Sequence, residues 1–184
     1  HNQMPAFTKN YKVITIDLAG HGHSSMGREE YSMKAFGHDV KAVMEKENIE
    51  NAILVGHSMG GAVIAEAASL MPEKVVGIIG VDTLQNVAEQ IPQRNLDNML
   101  QKFENDFKTE MQSFVSAMFP SNSEQQLVNW VKEDMSSAPK SVALNAFQQY
   151  LSQYVSGEAS LVFKKVVVPV VSINARLWPT SYEE

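Results

Sequence analysis

Ile53-Leu54-Val55-Gly56-His57-Ser58-Met59-Gly60-Gly61 is the stretch on which the reading of this chain turns. Ala52 to Val55 is short and apolar, as a buried strand should be. Met59 to Met71 is rich in small residues and reads as a helix that Pro72 ends. Between them lies Gly56-His57-Ser58-Met59-Gly60, a G-x-S-x-G pattern. A serine hydroxyl is a poor nucleophile unless a sharp strand-to-helix turn presents it clear of its own backbone and near a base. Such a turn strains the serine, and Gly56 and Gly60 are expected to remove side chains that would clash there. The helix that follows aims free N–H groups and its positive dipole end at the same point, which suits a developing oxyanion. The competing reading is a tight turn with a merely solvent-facing serine. The flanking strand and helix favour the nucleophile turn.

Working outward, Lys12-Val13-Ile14-Thr15-Ile16-Asp17 is β-branched and bounded by a glycine-rich turn, predicting a strand. Met33, Phe36, Val40, Val43 and Met44 recur at helical spacing, so an amphipathic helix ends near Glu47-Asn48. Val75 to Val81 is apolar nearly throughout, as a parallel strand covered on both faces would be. Strand, helix and strand in alternation predict βαβ units and a three-layer α/β fold. Residues 83–155 break the rhythm. Leu96, Met99, Leu100, Phe103, Phe107, Met111, Phe114, Val115 and Met118 step by threes and fours, predicting one long helix. Ser121 with Glu124, or Ser123 with Gln126, offers a capping box for a second, and Pro139 could open a third. A strand returns at 166–173. The expected organisation is a partial core, 1–82 and 156–184, interrupted by a helical cap or lid, 83–155. The Met and Phe stripe is read as inward packing rather than as a lipid-binding face.

Composition bounds the function. Hydrophobic residues make up 44% of the 184, and charged residues 20%, which is the balance of a globular domain. A net charge of −6 with no basic cluster argues against nucleic acid and anionic membrane surfaces as partners. No apolar run approaches the roughly 20 residues that span a bilayer. There is no cysteine, hence no disulfide framework and no thiolate metal site. No zinc-type ligand spacing occurs, and neither a metal nor a cofactor is expected. The chain begins at His1 and stops soon after a strand, so both ends are expected to have been cut from something longer.

Two blocks carry a family likeness. Asp17-Leu18-Ala19-Gly20-His21-Gly22-His23-Ser24 is similar to the D-x-x-G-x-G-x-S turn after the fourth strand of the α/β-hydrolases, and Gly56-His57-Ser58-Met59-Gly60-Gly61 is similar to their nucleophile turn after the fifth. The chain resembles the cap-bearing esterases, lipases and cofactor-free haloperoxidase-like enzymes of that family. The resemblance covers residues 3 to 82 and, more loosely, the strand near 166–174. It implies an α/β-hydrolase-like core, mostly parallel, with a helical cap insertion, incomplete here. It implies Ser58 as nucleophile and the Met59 backbone N–H as one oxyanion donor, and serine at 58 disfavours the branches that use aspartate there. His57 is then a packed structural residue. His21 and His23 are turn residues near the site, His38 is solvated, and Asp17 stabilises its turn.

Three parts depart from the pattern. The second oxyanion N–H comes from a segment after the third strand, which should precede His1; that strand would lie between 12–17 and 52–56, so its absence leaves a gap inside the sheet. The base histidine should follow the last strand, yet no histidine follows His57. The acid is expected a few residues past 166–174, where Asn174-Ala175-Arg176-Leu177-Trp178-Pro179-Thr180 holds no carboxylate. Arg176 cannot accept the Nδ1 hydrogen of a histidine. Asp82, at the end of the third strand, is a fallback acid or else a capping residue. The expectation is a parent serine hydrolase acting on a small, apolar carboxylic ester, with this chain inactive for want of its base. The alternative is a non-catalytic α/β-hydrolase-like domain that binds a ligand or partner.

Overall fold

A computed structural model describes residues 3–176 and 179–181. The elements in chain order are α1 (Met4–Phe7), α2 (Met33–Lys46), β1 (Ala52–His57), α3 (Met59–Leu70), β2 (Val75–Val81), α4 (Gln93–Asn105), α5 (Phe107–Met118), α6 (Gln125–Ser136), α7 (Lys140–Ser156), α8 (Glu158–Phe163) and β3 (Val170–Ile173). The strands form one parallel sheet in the order β1-β2-β3. Its register aligns Val55 with Ile79 and His57 with Val81, and then Ile79 with Val171 and Val81 with Ile173. Helices α2 and α3 pack on each other, and α3 packs on β1 and β2.

Local chemistry sets most of these boundaries. Ser32 caps α2, its hydroxyl accepting the Ala35 N–H at 3.3 Å. The buried face of α2 is Met33, Phe36, Val40 and Met44, close to the face expected, with Val43 only half-buried. Gly37 lets α2 approach α3, since a Cβ there would lie 2.8 Å from the Glu66 Cβ. The small residues of α3 are buried almost without a break from Gly61 to Ala68. They bring the helix close to the sheet, and the core gathers there around Phe36, Met33, Met71, Ile78 and Val75.

Four expectations about elements fail. Lys12–Asp17 pairs with no strand among the described residues. A strand needs a neighbour for its backbone groups, and none of the described residues forms a strand between this segment and β1. Its anchors lie elsewhere: Lys12 Nζ reaches Glu47 at 2.9 Å, and Ser24 Oγ donates to the Asp17 carbonyl at 2.6 Å. The long helix of the insertion is two helices. Asp106 breaks it with φ −148° and ψ 82°, and its carboxylate accepts the Thr109 N–H at 3.2 Å as the N-cap of α5. Neither serine capping box forms; α6 starts behind Glu124, which makes no side-chain cap. Pro139 does precede α7, and Gly157 at φ 78° turns the chain from α7 into α8. The last strand is shorter than expected, because Pro169 has no N–H to give the ladder.

Helices α4 to α7 lie between β2 and β3 in the chain. Phe103 is their centre, with its ring 6.3 Å from Phe107, 6.1 Å from Phe114 and 5.6 Å from Phe147. The Met and Phe stripe thus packs inward at Phe103, Phe107 and Val115, while Met99 and Met118 remain exposed. Tyr31 joins the insertion to the core, its N–H donating to the Asn145 side chain of α7 at 2.9 Å. Of the three layers of an α/β sandwich, the described residues build the sheet and one helical layer. Ile53, Val55, Val171 and Ile173 point to the other side and are exposed.

Candidate active site

Ser58 sits between the last residue of β1 and the first of α3, with φ 52° and ψ −124°. A non-glycine residue at positive φ carries roughly 1–3 kcal/mol of strain and persists only where its surroundings fix it. Here the fixing bonds are visible. The Ser58 N–H donates to the Val81 carbonyl at 3.3 Å, and its own carbonyl accepts the Gly61 N–H at 2.9 Å and the Thr83 hydroxyl at 2.7 Å. Serine in the N-cap position normally spends its hydroxyl on the first helical N–H groups. Ser58 makes no such bond, and its residue is exposed, so Oγ stands clear at the helix N-terminus. Met59 opens α3, where backbone N–H groups have no helical acceptor.

The glycines divide the labour differently from the expectation. A Cβ on Gly56 would run into the carbonyl of Gly60 and lie 2.9 Å from the Gly61 nitrogen. A Cβ on Gly61 would overlap the Thr83 side chain. A Cβ on Gly60 would meet nothing within 4 Å. The close approach of strand to helix therefore requires Gly56 and Gly61; Gly60 only leaves space open.

Asp82 lies one residue beyond the β1–β2 register, as Ser58 does on the neighbouring strand. It too has a positive φ, 47°, and is exposed. Its N–H donates to the Ile173 carbonyl at 2.9 Å, and its carboxylate accepts from Gln85 Nε2 at 3.3 Å. The sheet thus brings Ser58, Met59 and Asp82 to one end, the carboxyl ends of adjacent parallel strands. Arg176 is an exposed turn residue after β3, while Leu177 and Trp178 lie outside the described residues.

His57 is exposed rather than packed, since its side chain projects to the uncovered side of the sheet. The other block is a self-contained turn. Asp17 accepts the His23 N–H at 2.9 Å and approaches the His23 ring at 3.3 Å, and these contacts hold its carboxyl below the usual carboxylate range. A Cβ on Gly22, which has φ 53°, would strike that carboxylate. His21 is tied to the Ala19 carbonyl at 3.1 Å and lies edge-on to Phe36, and His38 is exposed. No cluster of three or more metal-ligating side chains occurs among the described residues. No described helix is long and apolar enough to cross a membrane.

Sequence reasoning missed Thr83 and Asn174. Thr83 is 2% exposed, and its N–H donates to the Asn174 side chain at 2.9 Å; Asn174 Nδ2 in turn donates to Thr180 Oγ1 at 2.8 Å. The only signal in the sequence was a threonine directly after a strand-end aspartate.

A family model described as "alpha/beta hydrolase fold" matches residues 1–167. A protein of Haemophilus influenzae named "Putative esterase/lipase" is 39% identical over 77 residues, 42% of this chain and 26% of that protein. Epoxide hydrolase B of Mycobacterium tuberculosis is 35% identical over 83 residues, 44% of this chain and 23% of its own length. These alignments span about a quarter of the relatives. The solved structure of a bromoperoxidase from Bacillus anthracis superposes with a TM-score of 0.74 at 17% identity, over 94% of this chain and 77% of the other. The parallel sheet and the extent of the family match agree: this chain belongs to the alpha/beta hydrolase family.

Proposed function

We propose that the protein to which this chain belongs is a serine hydrolase that cleaves carboxylic esters through an acyl-enzyme on Ser58. The observation that carries the reading is Ser58 itself: positive φ, an uncapped hydroxyl and an exposed position at a helix N-terminus. Ser58 Oγ attacks the ester carbonyl and gives its proton to a histidine base. The carbonyl oxygen takes up negative charge against the Met59 N–H. Collapse of this adduct expels the alcohol, which takes the proton back, and water then releases the acid by the same steps. The base is not supplied by this sequence, in which no histidine follows His57. Asp82 is the carboxylate in best position to orient such a histidine. Helices α4 to α7 serve as the cap of the site.

The test is hydrolysis of a p-nitrophenyl ester series by the full-length protein, with Ser58→Ala beside it. Ser58→Ala is expected to lower kcat by several orders of magnitude and to abolish labelling by a fluorophosphonate. The isolated chain should show almost no turnover. Arg176, exposed where an acid is expected, favours a second reading, a ligand-binding domain without catalysis. No ester turnover in the wild type, no labelling of Ser58 and ligand binding that survives Ser58→Ala would establish that reading in place of the first; turnover that survives Ser58→Ala would sink the Ser58 mechanism.

A further inference from the structure

The carbonyl of Ser58 and the N–H of Met59 are the two ends of one peptide unit. That unit is planar and trans, so whatever fixes the direction of the carbonyl also fixes the N–H, pointing the opposite way. Thr83 Oγ1 donates to this carbonyl at 2.7 Å from a site that is 2% exposed. The Gly61 N–H accompanies it at 2.9 Å, but that bond lies within the turn and moves with it. Among the described residues, Thr83 ties the peptide to another part of the molecule, the C-terminal end of β2.

Thr83 is itself held with unusual firmness. The residues on either side, Asp82 and Leu84, both have positive φ, 47° and 57°. Its N–H is taken by Asn174, which follows β3 and is bonded in turn to Thr180. Its side chain fills the space left by Gly61 and lies against Gly80, where an added Cβ would come within 3.1 Å of Cγ2. Tyr150, in α7, faces Thr83 and Tyr154, whose influence opposes the upward push that burial gives its hydroxyl. Strain of this kind on both sides of a buried, fully bonded side chain marks a position whose geometry is held for a purpose beyond packing.

We propose that Thr83 is a positioning residue for the oxyanion site: by gripping the Ser58 carbonyl from the buried side, it aims the Met59 N–H at the reacting oxygen. This rests on Ser58 being the nucleophile. A hydrogen bond to the carbonyl also polarises the peptide and strengthens the N–H as a donor. Removal of an entire oxyanion donor costs about 100- to 1000-fold in kcat; a donor left in place but loosely aimed should cost about tenfold.

The experiment compares Thr83→Val and Thr83→Ser in the full-length protein, with rates expressed per serine titrated by a fluorophosphonate, so that only folded sites count. Thr83→Val keeps the shape and loses the hydroxyl. It should lower kcat about tenfold with KM unchanged, and weaken a trifluoromethyl ketone inhibitor, which forms a tetrahedral oxyanion, by a similar factor. Thr83→Ser should restore both to within about threefold. Should Thr83→Val fail to fold, Thr83→Ala, which relieves crowding at Gly61, replaces it. Equal kcat per titrated site in wild type and Thr83→Val, or a loss confined to KM, overturns the assignment while leaving Ser58 as nucleophile. Absence of labelling at Ser58 in the wild type overturns the nucleophile reading and this inference with it.

Discussion

At the scale of single residues, the turn around Ser58 makes separate demands on its glycines. Gly56 faces the carbonyl of Gly60, a backbone group that cannot swing away, and Gly61 faces the packed Thr83 side chain. Alanine at either place should therefore destabilise the fold by about 1–3 kcal/mol, the usual cost of forcing atoms into a filled site. Gly60 lies in a helix, has no positive φ and would place a Cβ in open space. Gly60→Ala should be neutral or stabilise by up to about 1 kcal/mol through helix propensity. Urea denaturation of the three variants measures this, and equal destabilisation by all three would contradict the packing described. The G-x-S-x-G pattern was legible because a strained turn restricts residue type at fixed offsets. That Gly61 rather than Gly60 is sterically required was not, since that depends on Thr83, 22 residues beyond Gly61 in sequence and adjacent only in the fold.

Among the elements, α3 and α7 meet at a polar contact inside an apolar interface. Glu66 is 6% exposed, and Gln153 Nε2 donates to its carboxyl at 3.2 Å. Burial raises the Glu66 pKa above 4.5; Gln153 works against this, Glu158 of α8 adds to it, and Lys165 and Lys34 of α2 oppose it. The folded state thus holds the proton more tightly than the unfolded chain does. Stability from this group is complete below the unfolded value and declines as pH rises through the folded one. Glu66→Gln keeps a neutral partner for Gln153 at every pH. Its melting temperature should match wild type near pH 4 and exceed it by a few degrees near pH 8. A difference independent of pH would mean that Glu66 titrates as an exposed carboxyl does. Nothing in the sequence announced this pair, because a glutamate among alanines reads as the solvated face of a helix. Other boundaries were equally dependent on single residues. The Asp106 cap split a continuous apolar stripe, and Pro169 shortened a continuous apolar run; periodicity registers neither.

For the whole molecule, the balance of covered and uncovered sheet decides behaviour in solution. β2 is apolar throughout, and the sequence led to a strand covered on both sides. Only the side bearing Leu54 and Ile78 is covered, by α3 and the core behind it. On the opposite side Ile53, Val55, Val171 and Ile173 are 54, 61, 52 and 59% exposed. The edge of β1 that should adjoin Lys12–Asp17 through a further strand is likewise without a described partner. A contiguous apolar face of this kind is rare on a monomeric soluble protein, and local strand signals could not reveal it, since they report burial potential and not what supplies it. The 184-residue chain on its own should bind the dye ANS while still melting cooperatively, which separates an exposed face from a loosely packed core. Val55→Thr combined with Val171→Thr trims two adjacent positions paired through Ile79. Dye fluorescence should fall to about half, and stability should change by less than about 1 kcal/mol, because exposed side chains contribute little to the core. Unchanged fluorescence in that variant would place the bound dye elsewhere and show this face to be covered in solution.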